Sequence, residues 1–267
     1  PIVLYLLNMI TGIPISSLPL ANIQMLSFID ISSHQADLNL VAVLNSVQGV
    51  IVKATEGSSY VNPYCDRHYQ QAKSGNLLRG FYHFAGSGDP LAEAAFFYRN
   101  VLGYLHDGIP VLDWEGVYRN GKCIFEQSVD WVNRFVRQFH SLTGIWCWIY
   151  ANPWRFNQGG VEPNCARWVA SYPAVAHPAF AQAASWNCPN ADGNVVAWQF
   201  CSDGRLSGYG YNLDCSVYYG DSESWLRYAD SKSFSGGVTG GNGWNGSAGA
   251  STETLENENY KITIERK

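Results

Sequence analysis

The chain has 267 residues, of which 46% are hydrophobic and 15% are charged, and its formal net charge is −5. This length and apolar content suffice for one large domain with a substantial core, or for one domain and a tail. The negative charge and the lack of a long basic run argue against nucleic-acid binding, so we expect no nucleic-acid partner.

The first 24 residues combine a short apolar run with small and turn-forming residues. They contain no Lys or Arg, and the first basic residue of the chain is Lys53. A signal peptide has a basic amino-terminal region, and the apolar run is too short for a transmembrane helix. We interpret residues 1–24 as a leader or an extension, and we expect no stable insertion into a membrane.

From residue 25 onwards, apolar strand-like runs alternate with helical patterns. The predicted strands cover residues 26–31, 49–57, 78–84, 109–115, 145–152, 166–172, 195–200 and 213–218. The predicted helices cover residues 37–47, 63–74 with Gly75 as the C-cap, 90–102, 125–142 ended by Gly144, and 225–230. Strand and helix first alternate every 25–35 residues or so, roughly the spacing of βα units around a parallel sheet. Five such units followed by three strands give eight strands, enough to close a barrel.

The fourth predicted strand carries the most informative chemistry. It ends in Asp113, Trp114 and Glu115 before Gly116. Because side chains alternate along a strand, Asp113 and Glu115 are predicted on one side, with their Cα atoms about 6.5–7 Å apart. Burial and like charge should raise the pKa of one carboxyl group and leave the other ionised. This arrangement suits general acid catalysis on a glycosidic bond, although a helix cap and a structural ion pair would also explain it.

Other polar side chains follow the apolar runs of other strands. In such barrels the active site lies at the carboxyl ends of the strands. This end is predicted to collect Asp30, Glu56, His83, Asp113, Glu115, Tyr150 and Asp214. For Glu56 the stronger interpretation is a structural ion pair with Lys53. For His83 it is a structural role, because no metal-ligand spacing surrounds it.

Aromatic and cysteine residues leave several alternatives open. The chain has 10 Trp and 16 Tyr, which suit a site that stacks on sugar faces, although about half of five selected Trp residues are expected in the core. Those five are Trp114, Trp154, Trp168, Trp186 and Trp198. The seven Cys form no Cys-x-x-Cys pair, so we expect no metal site and no cofactor. Cys165 with Cys188, and Cys201 with Cys215, could form disulfides in an oxidising compartment, and buried free thiols are the alternative.

Several motifs resemble the glycoside hydrolase family 25 lysozymes, the Chalaropsis-type N-acetylmuramidases of fungi, bacteria and many phage endolysins. The most specific is Lys53-Ala-Thr-Glu-Gly-Ser-Ser-Tyr-Val-Asn62, which fits the Lys-x-Ser/Thr-Glu-Gly signature of that family. Further matching segments are 28–35, 80–84, 112–115, 149–152, 197–200 and 213–214. Ala36 departs from the family, which usually has Pro, Gly or Glu there, and the stretch before Ile51 is looser than usual. The resemblance implies an α/β fold, a flattened TIM-like (β/α)5β3 barrel, as a single catalytic domain over residues 25–230.

The same resemblance implies roles for individual side chains. Glu115 would be the general acid on the leaving glycosidic oxygen, and Asp113 would stabilise charge near the reacting sugar. Asp30 and Asp214 would flank the site from the first and last strands. Two mechanisms remain open, since either the N-acetyl group of the substrate attacks the anomeric carbon or a carboxylate activates water with inversion. The side chains expected to bind the substrate are Tyr82, Tyr150, Trp168, Glu56 and Gln199.

The resemblance therefore implies an N-acetylmuramidase that hydrolyses the β-1,4 bond between N-acetylmuramic acid and N-acetylglucosamine. We expect it to act on bacterial peptidoglycan as a monomer, secreted or released to reach the cell wall. A chitinase-like glycosidase is an alternative, but Pro110-Val-Leu lacks the additional Asp residues that precede the Glu in that class. An inactive peptidoglycan-binding module is a second alternative, although binding alone would not need four convergent acids.

The end of the chain differs in composition from the predicted barrel. Residues 231–251 are rich in Gly, Ser and Asn, which is typical of a flexible linker. Residues 252–267 are charged, and the segment from Tyr260 to Glu265 alternates like a single strand. We interpret residues 252–267 as a short tail, either disordered or the start of a truncated wall-binding domain as in a modular endolysin.

Overall fold

A computed structural model describes residues 25–230, 252–257 and 260–265. The predicted leader, residues 1–24, and the predicted linker, residues 231–251, lie outside the described residues. The strands are β1 Leu26–Ile31, β2 Gly49–Glu56, β3 Tyr60–Val61, β4 Leu78–Phe84, β5 Ile109–Asp113, β6 Val117–Arg119, β7 Lys122–Phe125, β8 Trp148–Ala151, β9 Arg167–Ala170, β10 Val195–Gly204, β11 Leu213–Tyr218, β12 Thr252–Asn257 and β13 Tyr260–Glu265. The helices are α1 Cys65–Ser74, α2 Pro90–Val101, α3 Val129–Thr143, α4 Pro153–Phe156, α5 Phe180–Ala183 and α6 Ser222–Ala229.

Eight strands form a closed barrel, which confirms the predicted fold class. The order around the barrel is β1–β11–β10–β9–β8–β5–β4–β2, and β1 pairs with β2 to close it. Each neighbouring pair is parallel except for the two pairs that involve β11, which runs antiparallel to β1 and β10. All eight barrel strands coincide with the eight runs predicted from the sequence, since each carries a short apolar segment between turn residues.

Helix α6 fills the amino end of the barrel. Trp225 is fully buried, and its ring centroid lies 5.3 Å from those of Phe28 and Tyr218 and 5.4 Å from that of Trp148. Its indole nitrogen donates a 2.9 Å hydrogen bond to the carbonyl oxygen of Arg79, near the start of β4. Aromatic packing of this kind contributes beyond the apolar area that it buries. The amino end is therefore closed, and the carboxyl end remains open.

The predicted helix over residues 37–47 is wrong. The structure has only a short 3-10 turn at Leu40–Val43, whose first turn is capped by Asn39 through a 3.1 Å bond from the Val41 amide to its side-chain oxygen. The segment carries three Val residues, and β-branched side chains lose rotamer freedom in a helix. Its four buried apolar side chains, Leu38, Leu40, Val43 and Val47, reach the core without a longer helix.

The helix predicted from Phe125 begins four positions later, at Val129, with Ser128 as its cap. The residues before it form a hairpin of β6 and β7 around Asn120 and Gly121, both of which have positive φ, at 51° and 74°. Asn-Gly is the commonest sequence signal for such a two-residue hairpin turn. That dipeptide would have predicted the hairpin from the sequence. Gly144 ends α3 in the left-handed conformation, as expected.

The structure selects between the two cysteine alternatives and adds a partner to the strand expected at the end of the chain. All seven Cys are free thiols, so neither Cys165–Cys188 nor Cys201–Cys215 forms a disulfide in this structure. The single strand predicted at Tyr260 to Glu265 is one half of an antiparallel pair, β12 with β13. This pair belongs to a separate compact unit, residues 236–267. Within the described parts of the chain, no helix combines the length and apolarity needed to cross a bilayer.

Candidate active site

A cavity of about 290 Å³ opens at the carboxyl end of the barrel. All four predicted acids line it: Asp30, Asp113, Glu115 and Asp214. Four of the five predicted substrate-binding residues line it as well, namely Tyr82, Tyr150, Trp168 and Gln199. Side chains that the sequence did not single out as site residues complete the wall: Ser32, His34, Gln35, Lys53, Phe84 and Tyr172.

The barrel closure brings Asp30 and Asp214 together. They are directly opposite each other in the antiparallel pair of β1 and β11. Asp214 is the second residue of β11, as in the predicted strand 213–218, so it lies at the amino end of its own strand. It still reaches the same rim, because β11 runs opposite to its neighbours. Two carboxyl groups at one end of the barrel thus come from residues far apart in the sequence.

Gln199 connects one of these acids to two tyrosines. Its side-chain nitrogen donates a 2.8 Å hydrogen bond to Oδ1 of Asp30, and its side-chain oxygen accepts a 2.7 Å bond from the Tyr150 hydroxyl. The Tyr172 hydroxyl donates to the same oxygen. Gln199 is only 2% exposed, so the amide at the centre of this network is buried, whereas Tyr172 at its edge is 50% exposed. Buried networks whose members are satisfied hold their side chains in defined positions.

Asp113 and Glu115 differ in environment although only one residue separates them. Strand β5 ends at Asp113, so Glu115 lies beyond the strand and the simple alternation predicted for the two is not observed. Asp113 is 8% exposed, and its Oδ1 atom has no hydrogen-bond partner among the described residues. Glu115 is exposed to the cavity. Trp114 between them is fully buried and donates its indole N–H to the Gln127 carbonyl oxygen at 2.9 Å.

Arg155 holds the backbone of Glu115 in place. Its guanidinium donates to the carbonyl oxygen of Glu115 and forms an ion pair with Glu126, in the segment after β7. The same group lies 5.5 Å from the centroid of the Trp114 ring. No sequence pattern indicates this role, because Arg155 lies forty positions after Glu115, in α4.

All four acids have raised pKa values. Burial is the largest cause for each of them and raises the pKa of Asp30 and of Asp113 well above the usual range. Burial also raises the pKa of Glu115, although the nearby Tyr150 hydroxyl and the Arg155 charge oppose the rise. For Asp214, burial and then the charge of Glu115 raise the pKa to about 7. Acids this close titrate as a group, so the cluster retains protons near neutral pH.

Lys53 is the cation that lines the acidic cavity. Its ammonium group lies 2.6 Å from Oε2 of Glu56 and 4.8 Å from the centroid of the Phe84 ring. Its charge opposes the rise in the pKa of Asp113 and Glu115. Glu56 itself does not line the cavity, which disagrees with its assignment as a substrate-binding residue. Glu56 instead forms the structural ion pair with Lys53 that the sequence favoured.

His83 lies under the rim and outside the cavity. Its ring is fully buried, with Nδ1 at 2.8 Å from the Thr55 hydroxyl and Nε2 at 3.2 Å from Oε2 of Glu93. Glu93 also accepts hydrogen bonds from the amides of Gly86 and Gly88, at 2.8 and 2.7 Å. This geometry fits the structural role expected for His83. The described residues contain no cluster of three or more His, Cys, Asp or Glu able to hold a metal ion.

The tryptophans divide between core and surface. Trp114, Trp168 and Trp198 are at most 2% exposed, while Trp154 is 64% exposed and Trp186 is half-buried. Trp168 belongs to both the core and the cavity floor, since its ring packs against Phe28 at 5.2 Å and against Tyr150 at 4.7 Å. The cavity thus has an aromatic floor beneath a ring of acids, which suits an uncharged polar ligand with apolar faces, such as a sugar.

Comparison with known proteins gives a consistent result. The model of "Glycosyl hydrolases family 25" matches residues 29–209. The chain is 28% identical over 196 residues to the autolytic lysozyme of Clostridium acetobutylicum, which covers 71% of this chain and 55% of that protein. It is 36% identical over 136 residues to the N,O-diacetylmuramidase of Chalaropsis sp., which covers 46% of this chain and 64% of that protein. The chain thus spans less than two thirds of the length of these two relatives.

A solved structure resembles the whole barrel. The family 25 lysozyme of Aspergillus fumigatus superposes with a TM-score of 0.62 and 25% sequence identity. The superposition covers 77% of this chain and 99% of that one.

Proposed function

Since this chain belongs to the glycosyl hydrolases of family 25, we propose that it hydrolyses bacterial peptidoglycan as an N-acetylmuramidase. The bond cleaved is the β-1,4 bond between N-acetylmuramic acid and N-acetylglucosamine. The observation that carries the proposal is the convergence of Asp30, Asp113, Glu115 and Asp214 on one cavity. We propose that the protein acts on the bacterial cell wall, which it reaches by secretion or release. We expect it to work as a monomer without a cofactor.

Glu115 is the general acid of this proposal. It is exposed and lines the cavity, and burial raises its pKa, which favours the protonated form that a general acid needs. The proton passes from Glu115 to the leaving oxygen as the bond from that oxygen to the anomeric carbon breaks. Arg155 holds the backbone of Glu115 and so fixes the direction from which the proton arrives.

Asp113 positions the substrate. Its Oδ1 atom is buried and has no hydrogen-bond partner among the described residues, and such an oxygen costs free energy until a donor reaches it. The N–H of the 2-acetamido group of the sugar is a suitable donor. That contact turns the acetamido oxygen towards the anomeric carbon, where it attacks as the leaving oxygen departs. Water then attacks the anomeric carbon and breaks its bond to the acetamido oxygen, while the Glu115 carboxylate takes a proton from that water and is thereby restored as the acid. The product keeps the β configuration.

The proposal is tested on purified cell-wall sacculi with wild-type protein and two variants. Glu115→Gln removes the acid and keeps the side-chain shape. Glu223→Gln is the matched control, because Glu223 is 82% exposed on α6, where it forms an i,i+4 ion pair with Arg227. We expect new reducing ends of N-acetylmuramic acid from wild type and from Glu223→Gln, and a loss of about 100-fold or more for Glu115→Gln, the upper part of the usual range for general acids.

Other outcomes separate the alternatives. New reducing ends of N-acetylglucosamine would identify a glucosaminidase, and cleavage of chitin in preference to sacculi would favour a chitinase-like enzyme. Tight binding to sacculi without any cleavage by the wild type would favour a peptidoglycan-binding module. Full activity of Glu115→Gln would contradict the assignment of the acid while leaving the activity itself in place.

A further inference from the structure

Two buried cysteines lie directly opposite each other in the last two strands of the barrel. Cys201 on β10 is in register with Cys215 on β11, and both residues are buried free thiols. Directly opposed residues of an antiparallel pair have Cα atoms about 4.5–5.5 Å apart, and a disulfide spans about 4.4–6.8 Å between Cα atoms. The backbone therefore sets these two residues at a spacing that a disulfide bond can bridge.

The two sulfur atoms lie beside the same glycine. A Cβ atom added at Gly204 would clash with Sγ of Cys215 and would lie 3.3 Å from Sγ of Cys201. Hydrogen bonding between the two thiols lowers the pKa of Cys201 and raises the pKa of Cys215. The thiols are thus in contact in the reduced state. Cys201 is the better source of a thiolate, the form that attacks a disulfide.

The other pair of cysteines considered from the sequence has different neighbours. Burial and then the charge of Cys165 raise the pKa of Cys147, so Cys165 is close to that thiol. Burial raises the pKa of Cys188, and a hydrogen bond with Tyr219 opposes the rise. Cys165 and Cys188 each interact with another group, whereas Cys201 and Cys215 interact with each other.

The opposed cysteines lie where the pairing of β10 with β11 is irregular. The register shifts on both sides of Cys201, once between Gln199 and Cys201 and again between Cys201 and Gly204. Such bulges interrupt the ladder of backbone hydrogen bonds between two strands. A covalent bond at Cys201 would therefore join the strands at a point where backbone bonding is incomplete.

Cys215 is also the neighbour of an acid of the candidate active site. It follows Asp214, which stands opposite Asp30 in the pair of β11 with β1. After the hydrogen bond with Cys201 and burial, the charges of these two acids also raise the pKa of Cys215. Because the opposed acids repel each other, a bond from Cys215 to Cys201 would hold β11 to β10 against that repulsion.

We propose that Cys201 and Cys215 are a site of reversible thiol oxidation, at which a disulfide bond joins β10 to β11 and stabilises the barrel. The structure holds the site in its reduced form. The oxidant is a low-molecular-weight disulfide such as oxidised glutathione, which oxidising compartments supply. The inference does not depend on the proposed function, because it concerns a bond that takes no part in cleavage of the substrate.

The oxidation proceeds by two thiol–disulfide exchanges. The Cys201 thiolate attacks one sulfur of oxidised glutathione, whose S–S bond breaks, and the departing glutathione takes up the proton that Cys201 has lost. The sulfur of Cys215 then loses its proton and attacks the sulfur of Cys201, and the second glutathione departs with that proton. Two protein thiols become one disulfide, and one glutathione disulfide becomes two glutathione thiols. An excess of reduced glutathione reverses both exchanges.

The bond would close a loop formed by residues 202–214. A disulfide around a loop of about 15 residues stabilises chiefly by restricting the unfolded chain. In a domain of this size, we expect the disulfide to raise Tm by roughly 6–12 °C over the reduced protein.

The test compares the full chain in two redox states. Protein made in a bacterial cytosol is incubated with oxidised glutathione. The same chain is also exported to an oxidising periplasm, where it reacts as it folds, before burial limits access to the thiols. Free thiols are then alkylated, and peptide mapping by mass spectrometry identifies the linked cysteines. We expect the peptides that carry Cys201 and Cys215 to be joined and the remaining cysteines to be alkylated.

Thermal unfolding of the oxidised samples, with and without a reductant, measures the consequence of the bond. Wild type should lose the expected gain in Tm when the bond is reduced. Cys123→Ser is the matched control and should lose the same amount, because Cys123 is an exposed thiol outside the pair. Cys215→Ala removes one partner, so its Tm should not depend on the reductant.

Four results would overturn the inference. They are free Cys201 and Cys215 in both preparations, a bond from either residue to a different cysteine, a wild-type Tm that the reductant does not change, or the same change of Tm in Cys215→Ala. If Cys215→Ala does not fold, Cys201→Ala takes its place, and the peptide map and Tm of wild type decide without either variant. None of these measurements involves peptidoglycan, so they stand or fall separately from the proposed function.

Discussion

Asp30 and Asp214 face each other directly across the antiparallel pair of β1 and β11, at the rim of the barrel. Like charges in directly opposed positions destabilise a sheet, and here both carboxyl groups are also partly withdrawn from water. The barrel therefore holds a repulsive pair where its last strand joins its first. An arrangement that costs stability at the centre of a cavity is typical of a functional site.

The first prediction concerns stability in the Asp214→Asn variant. The pKa of Asp214 is raised from its ordinary value of 3.8 to about 7. In this pH range the folded state binds more protons than the unfolded state, so stability falls as pH rises from about 4 to about 7. Removing the group should raise the free energy of unfolding at pH 8 by about 1 kcal/mol or more, a gain in Tm of roughly 2–4 °C per kcal/mol.

Thermal unfolding at pH 4 and pH 8 measures this effect, with Glu223→Gln as the control. Below about pH 4 the Asp214→Asn gain should disappear, because the carboxyl group is then neutral in both states. A gain of the same size at both pH values, or no gain at pH 8, would contradict the assignment of a raised pKa.

The second prediction concerns the pH dependence of activity. The acid cluster must retain a proton for catalysis, and the pKa of Asp214 at about 7 sets the range in which the cluster loses its protons. We expect kcat/KM to fall as pH rises through about 7. In Asp214→Asn one negative charge is missing, so the pKa of the remaining acids should fall and the alkaline limb should move to lower pH. Measurements of kcat/KM on a soluble tetrasaccharide from pH 4 to 9 give the curves for wild type and for Asp214→Asn. An alkaline limb that moves to higher pH in the variant would show that the charge of Asp214 does not raise the pKa of the other acids.

The third prediction concerns the configuration of the product. If the acetamido group attacks the anomeric carbon with help from Asp113, two inversions leave the new reducing end in the β configuration. Proton NMR spectra recorded in the first minutes of hydrolysis distinguish the fresh β anomer from the α anomer, before mutarotation mixes them. A fresh α anomer would instead indicate a carboxylate that activates water.

The fourth prediction concerns the buried support under the rim. Glu93 is fully buried and accepts hydrogen bonds from the amides of Gly86 and Gly88 and contacts His83. Glu93→Ala leaves these groups without a partner, and each buried donor that loses its acceptor costs about 1–3 kcal/mol. Urea unfolding should show this loss, while Glu223→Ala on the surface should stay within about 0.5 kcal/mol of wild type. A loss below 1 kcal/mol for Glu93→Ala, the size of an ordinary exposed ion pair, would refute the structural role.

The eight barrel strands were predictable because each is a short apolar run bounded by turn residues, a pattern set by local burial. The helix predicted over residues 37–47 failed because its apolar positions fit a helix, whereas its four buried side chains reach the core from a short 3-10 turn and the loops beside it. These side chains are Leu38, Leu40, Val43 and Val47. The β6–β7 hairpin was also predictable, because its turn is the dipeptide Asn120-Gly121, a strong sequence signal for a two-residue hairpin turn. Local patterns therefore succeeded where burial and backbone preference agree.

The sequence by itself determined the kinds of residue that gather at the carboxyl end, because Asp30 and Asp113 follow apolar runs that can only be strands. Only the tertiary structure decided which side chains meet there. Tyr172 is the last residue of a predicted strand but belongs to no motif, and Arg155 lies in a segment with neither signal. Tyr172 reaches Gln199 and Arg155 reaches Glu115 through the packing of segments far apart in the chain. Closure of the barrel also placed Asp214 opposite Asp30. Strand β11 pairs with both β1 and β10 and runs antiparallel to each of them. The physical reason is that strand order and direction depend on long-range pairing and packing, which no local window of sequence contains.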